Sequence, residues 1–240
     1  MTRLFEGLRS LLIWIIAFPV FLVGCLIVLA ASFLIRGRGF ERLIKRCCRT
    51  VLFFCGIRVR VRGRENVVPG RQYLIMMNHV NFFDPLLFYA AYPGWARGIE
   101  EGGHFCWPVY GAVLKRLGVV PVDRKDPLKA RDSLIQAARF IRSRPAFSFL
   151  VMPEGTRSPD GRLGSFKRGG FILAVEAGIE ILPMAQIGAE RINRKGSRLI
   201  RPGRVDVVIE PAIPSAGFTR EAHDGLVDKV RAAFLRHLPG

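Results

Sequence analysis

Acidic residues, cysteines and histidines are scarce in this chain of 240 residues. It carries 19 Asp+Glu against 37 Lys+Arg, a net charge of +18, and it has five Cys and four His. The Cys are odd in number and form no Cys-x-x-Cys pair, so the pattern indicates reduced thiols rather than a zinc site or a disulfide framework. No His-Glu-x-x-His and no Gly-x-Ser-x-Gly motif occurs, so neither a zinc peptidase nor a serine nucleophile elbow is indicated.

What the chain does contain is positive charge combined with apolar residues. Half of the residues are hydrophobic, which excludes global disorder, and 30 of the basic residues are Arg against 7 Lys. An Arg guanidinium binds phosphate through paired hydrogen bonds, which a Lys ammonium does not. The combination favours a protein on an anionic membrane, and the basic residues lack the interleaved aromatics of a nucleic-acid surface. We therefore expect membrane lipids, and no nucleic acid, as partners.

Residues 11–35 form one apolar run without a charge. As a helix the run would be about 37 Å long, enough to cross a hydrocarbon layer of about 30 Å. Pro19 and Gly24 lie inside it, and a break there would give a re-entrant helical hairpin in one leaflet instead. A cleaved signal peptide is the third possibility, but the run is long for one and a basic block follows it. We expect a retained anchor, spanning or re-entrant.

The basic block after the run sets six cations against the single Glu41: Arg36, Arg38, Arg42, Lys45, Arg46 and Arg49. Such a block marks the cytoplasmic side of a membrane and binds anionic headgroups. Residues 39–54 mix these charges with apolar residues, which predicts an interfacial amphipathic helix, a solvated basic linker being the alternative. We expect a membrane anchor with an interfacial helix in residues 1–55 and a globular domain in residues 56–240. We expect the protein to lie at the cytoplasmic face of a membrane, and we expect that membrane to be the bacterial inner membrane.

Strands and helices alternate beyond residue 56. Strands are predicted at Ile57–Arg62, Tyr73–Met77, 119–122, 147–152, Glu180–Ile187 and 205–209. Helices are predicted after the cap Asp84, and at 104–117, 127–144, Gly169–Ala177 and 219–238, the last capped by Thr219. This alternation predicts an α/β layered domain with a largely parallel or mixed central sheet flanked by helices. The domain is preceded by the membrane helix or re-entrant hairpin.

A histidine and an aspartate follow the second predicted strand, in residues 78–84. His79 is expected at the end of a buried strand, and the loop must fold back to bring Asp84 beside it. The carboxylate can then accept a hydrogen bond from one imidazole nitrogen and leave the other free as a base. The alternative is a structural histidine next to a plain helix cap. His104 and His237 are expected to lack an acidic neighbour.

Three further polar segments follow predicted strands or precede a helix: residues 118–124, 153–158 and 166–170. In the second, Gly155 permits an unusual turn and Arg157 supplies a guanidinium, with Thr156 and Ser158 adding hydroxyls. Such a segment can hold a phosphate. The third places two cations before a helix N-terminus, a position that favours anions. Each segment alone could be an ordinary basic turn, but together they indicate an anion site.

The motifs Asn-His-x4-Asp at 78–84, Gly-x5-Arg at 118–124 and Glu-Gly-Thr-Arg-Ser at 154–158, with the later Pro183, resemble the 1-acylglycerol-3-phosphate acyltransferase family. The resemblance covers residues 59–209. It implies that His79 is the general base, that Asp84 orients it, and that Pro183 belongs to the acyl-binding part. It also implies a subsite for the acceptor's glycerol phosphate, formed by Arg124, Glu154, Gly155, Thr156 and Arg157.

The same resemblance implies a reaction. A fatty acyl group would pass from a thioester on coenzyme A or acyl carrier protein to the free hydroxyl of lysophosphatidic acid, giving phosphatidic acid. A thioester is already activated, so neither a metal nor a bound cofactor is expected. Asn81 and Pro121 stand where many members have Ser and Phe, which bears on the acceptor. The alternatives are another lyso-lipid acceptor, thioester hydrolysis, or a non-enzymatic protein that binds anionic membranes.

Overall fold

A mixed sheet of seven strands forms the centre of the computed structural model, which describes residues 2–122 and 127–239. In chain order the strands are β1 (Ile57–Arg62), β2 (Tyr73–Met77), β3 (Ala96–Glu101), β4 (Val120–Val122), β5 (Ser148–Val151), β6 (Glu180–Ile187) and β7 (Gly203–Ile209). Their order across the sheet is β1-β7-β6-β2-β5-β3-β4. Every neighbouring pair is parallel except β6 and β7, which are antiparallel. The predicted α/β class with a mixed sheet is confirmed.

Helices cover both faces of this sheet. They are α1 (Thr2–Leu34), α2 (Arg38–Phe54), α3 (Asp84–Ala91), α4 (Tyr110–Leu117), α5 (Pro127–Arg142), α6 (Gly169–Ala177), α7 (Ala189–Ile192) and α8 (Asp224–Leu235). Two short 3₁₀ helices lie at Arg64–Asn66 and Gly102–Cys106. The layers follow the apolar pattern of the sequence, since each helix buries one side against the sheet or a neighbouring helix.

The structure differs from the sequence-based prediction at three elements. Strand β3 was not predicted, because half of its six residues are charged and hide the strand pattern. The expected helix 104–117 is divided into a 3₁₀ turn and α4, since Pro108 and the positive φ of Val109 interrupt it. The last helix begins at Asp224 rather than at Thr219, whose hydroxyl instead accepts a hydrogen bond from the backbone N–H of Ala222.

Strand β2 lies at the centre of the core, and all five of its residues are buried. Tyr73, Ile75 and Met77 pack on the side of α2 and α3, whereas Leu74 and Met76 pack on the side of α5, α6 and α8. A strand covered on both faces has no polar side, which explains its uninterrupted apolar sequence. Burial on both sides also fixes the position at which the strand ends, and Asn78 and His79 follow there.

Helix α1 is continuous through Pro19, so the break that a re-entrant hairpin requires is absent. By length and composition it could cross a membrane. One face packs against the rest of the protein, where the indole N–H of Trp14 donates to the carbonyl of Arg198 (2.7 Å) and Ile13 and Ala17 are buried. Most of its other large apolar residues are exposed, including Leu8, Leu12 and Ile15.

Helix α2 is amphipathic, as predicted, and packs against α1. Lys45 pairs with Glu41 and also donates to the carbonyls of Pro93 and Gly94, and Arg49 donates to the carbonyl of Ala90. These two cations of the basic block therefore bind the protein itself. The other four side chains of the block are exposed: Arg36, Arg38, Arg42 and Arg46. The interfacial role of α2 and the domain boundary at residue 55 stay predictions.

Candidate active site

Two polar loops meet where strands β2 and β5 end. The strands are parallel neighbours, with Met76 opposite Val151. The loops that follow them therefore leave the sheet on the same side, at the carboxyl ends of the strands. Residues 78–84 follow β2, and residues 153–158 follow β5. Ligand sites in sheets of this type form at the carboxyl ends of the strands. The topology thus brings together two motifs that lie about 70 residues apart in the chain.

His79 and Asp84 form the centre of the first loop. Nδ1 of His79 lies 2.6 Å from Oδ2 of Asp84; the Asp is 0 % exposed and the His side chain 26 %. Oδ2 of Asp84 also accepts the backbone N–H groups of Val80 (2.8 Å) and Asn81 (3.1 Å). These bonds curl the loop back, which explains how a five-residue offset brings the two side chains together. An ionised Asp accepts only, so Nδ1 carries the proton and the lone pair of Nε2 is free.

The prediction that Asp84 caps α3 is wrong. Asp84 is the first residue of that helix, and its carboxylate is directed back at the loop. Its place at a helix N-terminus favours the negative charge. Asn81 fixes the loop from the other side, because its carbonyl oxygen accepts from Phe83 N–H (2.7 Å) and its amide donates to the carbonyl of Ala189 (2.8 Å).

Glu154 joins the two loops. One carboxylate oxygen accepts the backbone N–H of His79 and the other accepts that of Gly164, both at 2.9 Å. The residue is only 4 % exposed, and burial raises the pKa of its carboxyl above the ordinary range, although the two N–H donors oppose that shift. The structure therefore places Glu154 underneath the site, between backbone groups. Its predicted contact with the acceptor stays a prediction.

The rest of the second loop shapes a polar turn. Gly155 has a φ of +69°, in the region that favours glycine. Thr156 is exposed, and its hydroxyl accepts a hydrogen bond from the ammonium group of Lys195 (3.0 Å). The backbone N–H of Ser158 donates to the carbonyl of His79 (2.7 Å), which is a second link between the loops.

A cleft of about 270 Å³ opens at this turn. Glu154 and Ser158 line it, and both also bind the backbone of His79, so the cleft adjoins the His–Asp pair. Its cationic lining residues are Arg157, Arg162, Lys167 and Lys195. Four cationic side chains around one cleft suit a phosphate group, because phosphate oxygens form strong charge-assisted hydrogen bonds with such side chains. The remaining predicted site residue, Arg124, lies outside the described residues, and its role stays a prediction.

Comparison with known proteins agrees with this geometry. The sequence profile of the family described as Acyltransferase matches residues 58–187, more than half of the chain. The chain belongs to the acyltransferase family. The match contains His79, Asp84, Glu154 and all lining residues of the cleft except Lys195.

This acyltransferase also has named relatives. It is 29% identical over 203 residues to 1-acyl-sn-glycerol-3-phosphate acyltransferase alpha of Homo sapiens, which covers 84% of this chain and 71% of the human protein. It is 30% identical over 178 residues to the chloroplastic 1-acyl-sn-glycerol-3-phosphate acyltransferase LPAT1 of Arabidopsis thaliana, which covers 73% and 49% of the two chains.

A solved structure has the same fold as this acyltransferase. The crystal structure of the 1-acyl-sn-glycerophosphate (LPA) acyltransferase PlsC from Thermotoga maritima superposes with a TM-score of 0.81. The two chains are 24% identical, and the match covers 98% of this chain and 97% of the other. The whole described arrangement, including the N-terminal helix, therefore belongs to a known architecture.

The expectation that His104 and His237 of the acyltransferase lack acidic neighbours is wrong. Nδ1 of His104 lies 2.7 Å from Glu100, and Nε2 of His237 lies 2.6 Å from Glu210. The pairing with Glu210 spans 27 residues, and it arises from tertiary packing. His79 is distinguished by a fully buried partner and by the adjoining cationic cleft.

Lys195, like Arg162, is a cleft residue that no sequence motif indicates. It follows α7 in a loop rich in basic residues, more than 35 positions after Thr156, and no motif marks it. Only the clustering of cations in residues 191–201 could have drawn attention to this loop.

Proposed function

We propose that this acyltransferase moves a fatty acyl group from an acyl thioester to the free hydroxyl of 1-acylglycerol-3-phosphate, forming phosphatidic acid. The observation that carries the proposal is the hydrogen-bonded His79–Asp84 pair, with its buried carboxylate, beside a cleft lined by four cationic side chains. The names of the human and Arabidopsis relatives support this choice of acceptor.

The His–Asp pair supplies a base for direct transfer. Nε2 of His79 makes no hydrogen bond within the part of the chain that the structure describes, so it is available to an acceptor hydroxyl. It takes the hydroxyl proton as the oxygen attacks the thioester carbonyl, the C–S bond breaks, and the imidazolium returns the proton to the leaving thiolate. Asp84 stabilises the imidazolium that forms and keeps the proton of the neutral ring on Nδ1.

The cleft supplies binding and alignment. Arg157 and Lys195 would hold the phosphate of the acceptor. The hydroxyl of Thr156, which accepts a hydrogen bond from Lys195, connects the loop after β5 to the loop after α7. A phosphate fixed in this way places the glycerol hydroxyl within reach of His79, and alignment of two bound substrates accounts for a large share of enzymatic acceleration. Glu154 and Ser158 couple the cleft to the base through backbone hydrogen bonds.

The exposed apolar face of α1 supports a location at a membrane, where both acyl chains reside. Four exposed Arg of the basic block, Arg36, Arg38, Arg42 and Arg46, would face anionic headgroups on the cytoplasmic side. The donor thioester would be carried by coenzyme A or by acyl carrier protein.

Two matched acceptors test the proposal. The purified protein in lipid vesicles is given acyl-CoA with either 1-acylglycerol-3-phosphate or 1-acylglycerol, and products are identified by mass spectrometry. The wild type should acylate the phosphate-bearing acceptor preferentially. His79→Ala should abolish transfer in a protein with an unchanged circular dichroism spectrum. Arg157→Ala should lower kcat/KM for the phosphate acceptor about 10-fold or more.

The control for the Arg substitution is Arg139→Ala, because Arg139 is an exposed arginine on α5 away from the cleft. Full activity of His79→Ala would reject the base. Thioester cleavage that needs no acceptor would instead identify a hydrolase.

A further inference from the structure

The ladder between strands β2 and β6 is continued by a side chain. Backbone pairing of the two strands ends with Met77 opposite Met184. Beyond that point the amide group of Asn78 takes over: its nitrogen donates to the carbonyl of Gln186 (3.1 Å), and its oxygen accepts the N–H of Gln186 (2.8 Å). Both residues are buried, at 2 % and 1 % exposure.

The side chain of Gln186 makes a third bond, which acts on the peptide group next to His79. Its Nε2 donates to the carbonyl of Asn78 (2.7 Å). That carbonyl and the N–H of His79 belong to one planar peptide unit, and Glu154 accepts from the N–H side (2.9 Å). The unit is therefore held at both ends, by Gln186 and by Glu154. Its orientation determines the direction in which the Cα–Cβ bond of His79 leaves the backbone.

From this geometry we infer that Gln186 is a positioning residue for the general base, acting through the Asn78–His79 peptide. The inference rests on the proposed role of His79. Asp84 holds Nδ1 from one side, so a rotated peptide would move the opposite nitrogen, Nε2, away from the acceptor hydroxyl. A displacement of about 1 Å is enough to cost about 100-fold in rate.

The other amide atom of Gln186 supports a role beyond packing. Its Oε1 is buried and has no hydrogen-bond partner in the described residues. A buried acceptor without a partner destabilises the fold, and an apolar side chain of the same length would avoid that penalty. The amide is explained by the bond that its nitrogen makes with Asn78.

Gln72 provides a matched control at the opposite end of β2. Its Nε2 lies within hydrogen-bond distance, 2.8–3.0 Å, of three carbonyls, those of Ile141, Arg144 and Phe147. Six residues, five of them in β2, lie between it and His79, which corresponds to about 20 Å along an extended chain. Gln186→Leu and Gln72→Leu therefore both remove a glutamine that ties β2 to its neighbours, but only the first acts on the peptide of His79.

The experiment measures steady-state transfer to 1-acylglycerol-3-phosphate well below the unfolding temperature of each variant. We expect Gln186→Leu to lower kcat about 10- to 100-fold, with the KM for the acceptor within about 2-fold of wild type. Gln72→Leu should keep kcat within about 2-fold. A normal kcat in Gln186→Leu, or an equal loss in Gln72→Leu, would overturn the inference. A wild-type enzyme that transfers nothing to this acceptor would overturn the proposed function instead.

Gln186→Glu provides a second measurement if the Leu variant does not fold. Only a protonated carboxyl can donate to the carbonyl of Asn78, so kcat relative to wild type should rise as the pH is lowered. His79, Asp84 and Glu154, the titratable groups around this peptide, are present in both proteins, so the ratio of the two kcat values reports the pH dependence that the substitution adds. A ratio that does not change with pH would contradict the positioning role.

Discussion

Oδ2 of Asp84 binds the side chain of His79 and the backbone of the same loop at once. It lies 2.6 Å from Nδ1 of His79 and also accepts the N–H groups of Val80 and Asn81. One buried carboxylate oxygen therefore fixes both the shape of the loop and the orientation of the imidazole. Replacement of this carboxylate affects the two together.

Asp84→Asn should lower kcat at least about 100-fold. An amide nitrogen facing Nδ1 would favour the imidazole tautomer whose proton is on Nε2, which removes the free base. Acylation of 1-acylglycerol-3-phosphate is the measurement. The control is Asp228→Asn, because Asp228 is exposed on α8. Wild-type kcat in Asp84→Asn would show that the pair has no catalytic role.

Glu154→Gln should change the dependence of stability on pH. Burial raises the pKa of this carboxyl in the folded protein, so the folded state binds more protons than the unfolded state above about pH 4.5. The wild type should therefore lose stability as the pH rises from there through the raised pKa, and the Gln variant should lack that component. Unfolding temperatures of both proteins across this pH range give the difference.

The control for Glu154 is Glu221→Gln, since Glu221 is exposed. Its curve should follow that of the wild type. A Glu154→Gln curve parallel to the wild type would contradict the buried, ionisable state of Glu154.

Gly155→Ala should lower activity, whereas Gly178→Ala should lower only stability. Both glycines have a positive φ, +69° and +66°, so an added Cβ costs about 1–2 kcal/mol at either position. At Gly155 the new Cβ would also lie 3.2 Å from Cγ of Lys167, a cleft residue, but at Gly178 it would meet nothing within 4 Å. We expect about a 10-fold loss of kcat/KM in the first variant alone. Equal activities would show that the turn does not shape the cleft.

Leu12→Glu should weaken vesicle binding about 10-fold or more. Leu12 is exposed on the apolar face of α1, and a charge in that position is costly to place in a bilayer. The control is Leu235→Glu on α8, another exposed leucine, which should bind as the wild type does. Co-sedimentation with anionic vesicles measures both. Equal binding of all three proteins would place the membrane surface elsewhere.

Much of the fold was predictable where one residue pattern dominates. Strand β2, strand β6 and helix α6 have the bounds that the sequence predicts, because an apolar run or an apolar segment flanked by glycines allows few alternatives. Strand β3 is not predictable from its sequence, because its charged residues interrupt the apolar pattern of a strand. The last helix, α8, begins at Asp224 and not at the predicted Thr219. Local sequence carries little information where tertiary contacts decide the boundary.

The residues of the candidate site also fall into two groups, those that a short motif indicates and those that only tertiary contacts identify. His79, Asp84 and the turn at Gly155 were found from short motifs, because their chemistry depends on neighbours within a few residues. Lys195 and Gln186 were not found, since each acts on a residue 39 or 108 positions earlier in the chain. The partners of His104 and His237 were missed as well.

By itself the sequence determined the class of fold, the apolar N-terminal run and the residues able to act as base and phosphate ligands. Only the tertiary structure decided that α1 is one helix packed on the domain and that Glu154 lies beneath the site. It also decided that the side chain of Gln186 donates a hydrogen bond to the Asn78–His79 peptide group. The physical reason is the range of the interactions. Periodicity and turn chemistry act between neighbours in the chain, whereas burial and hydrogen bonds between strands depend on segments that meet only when the sheet has formed.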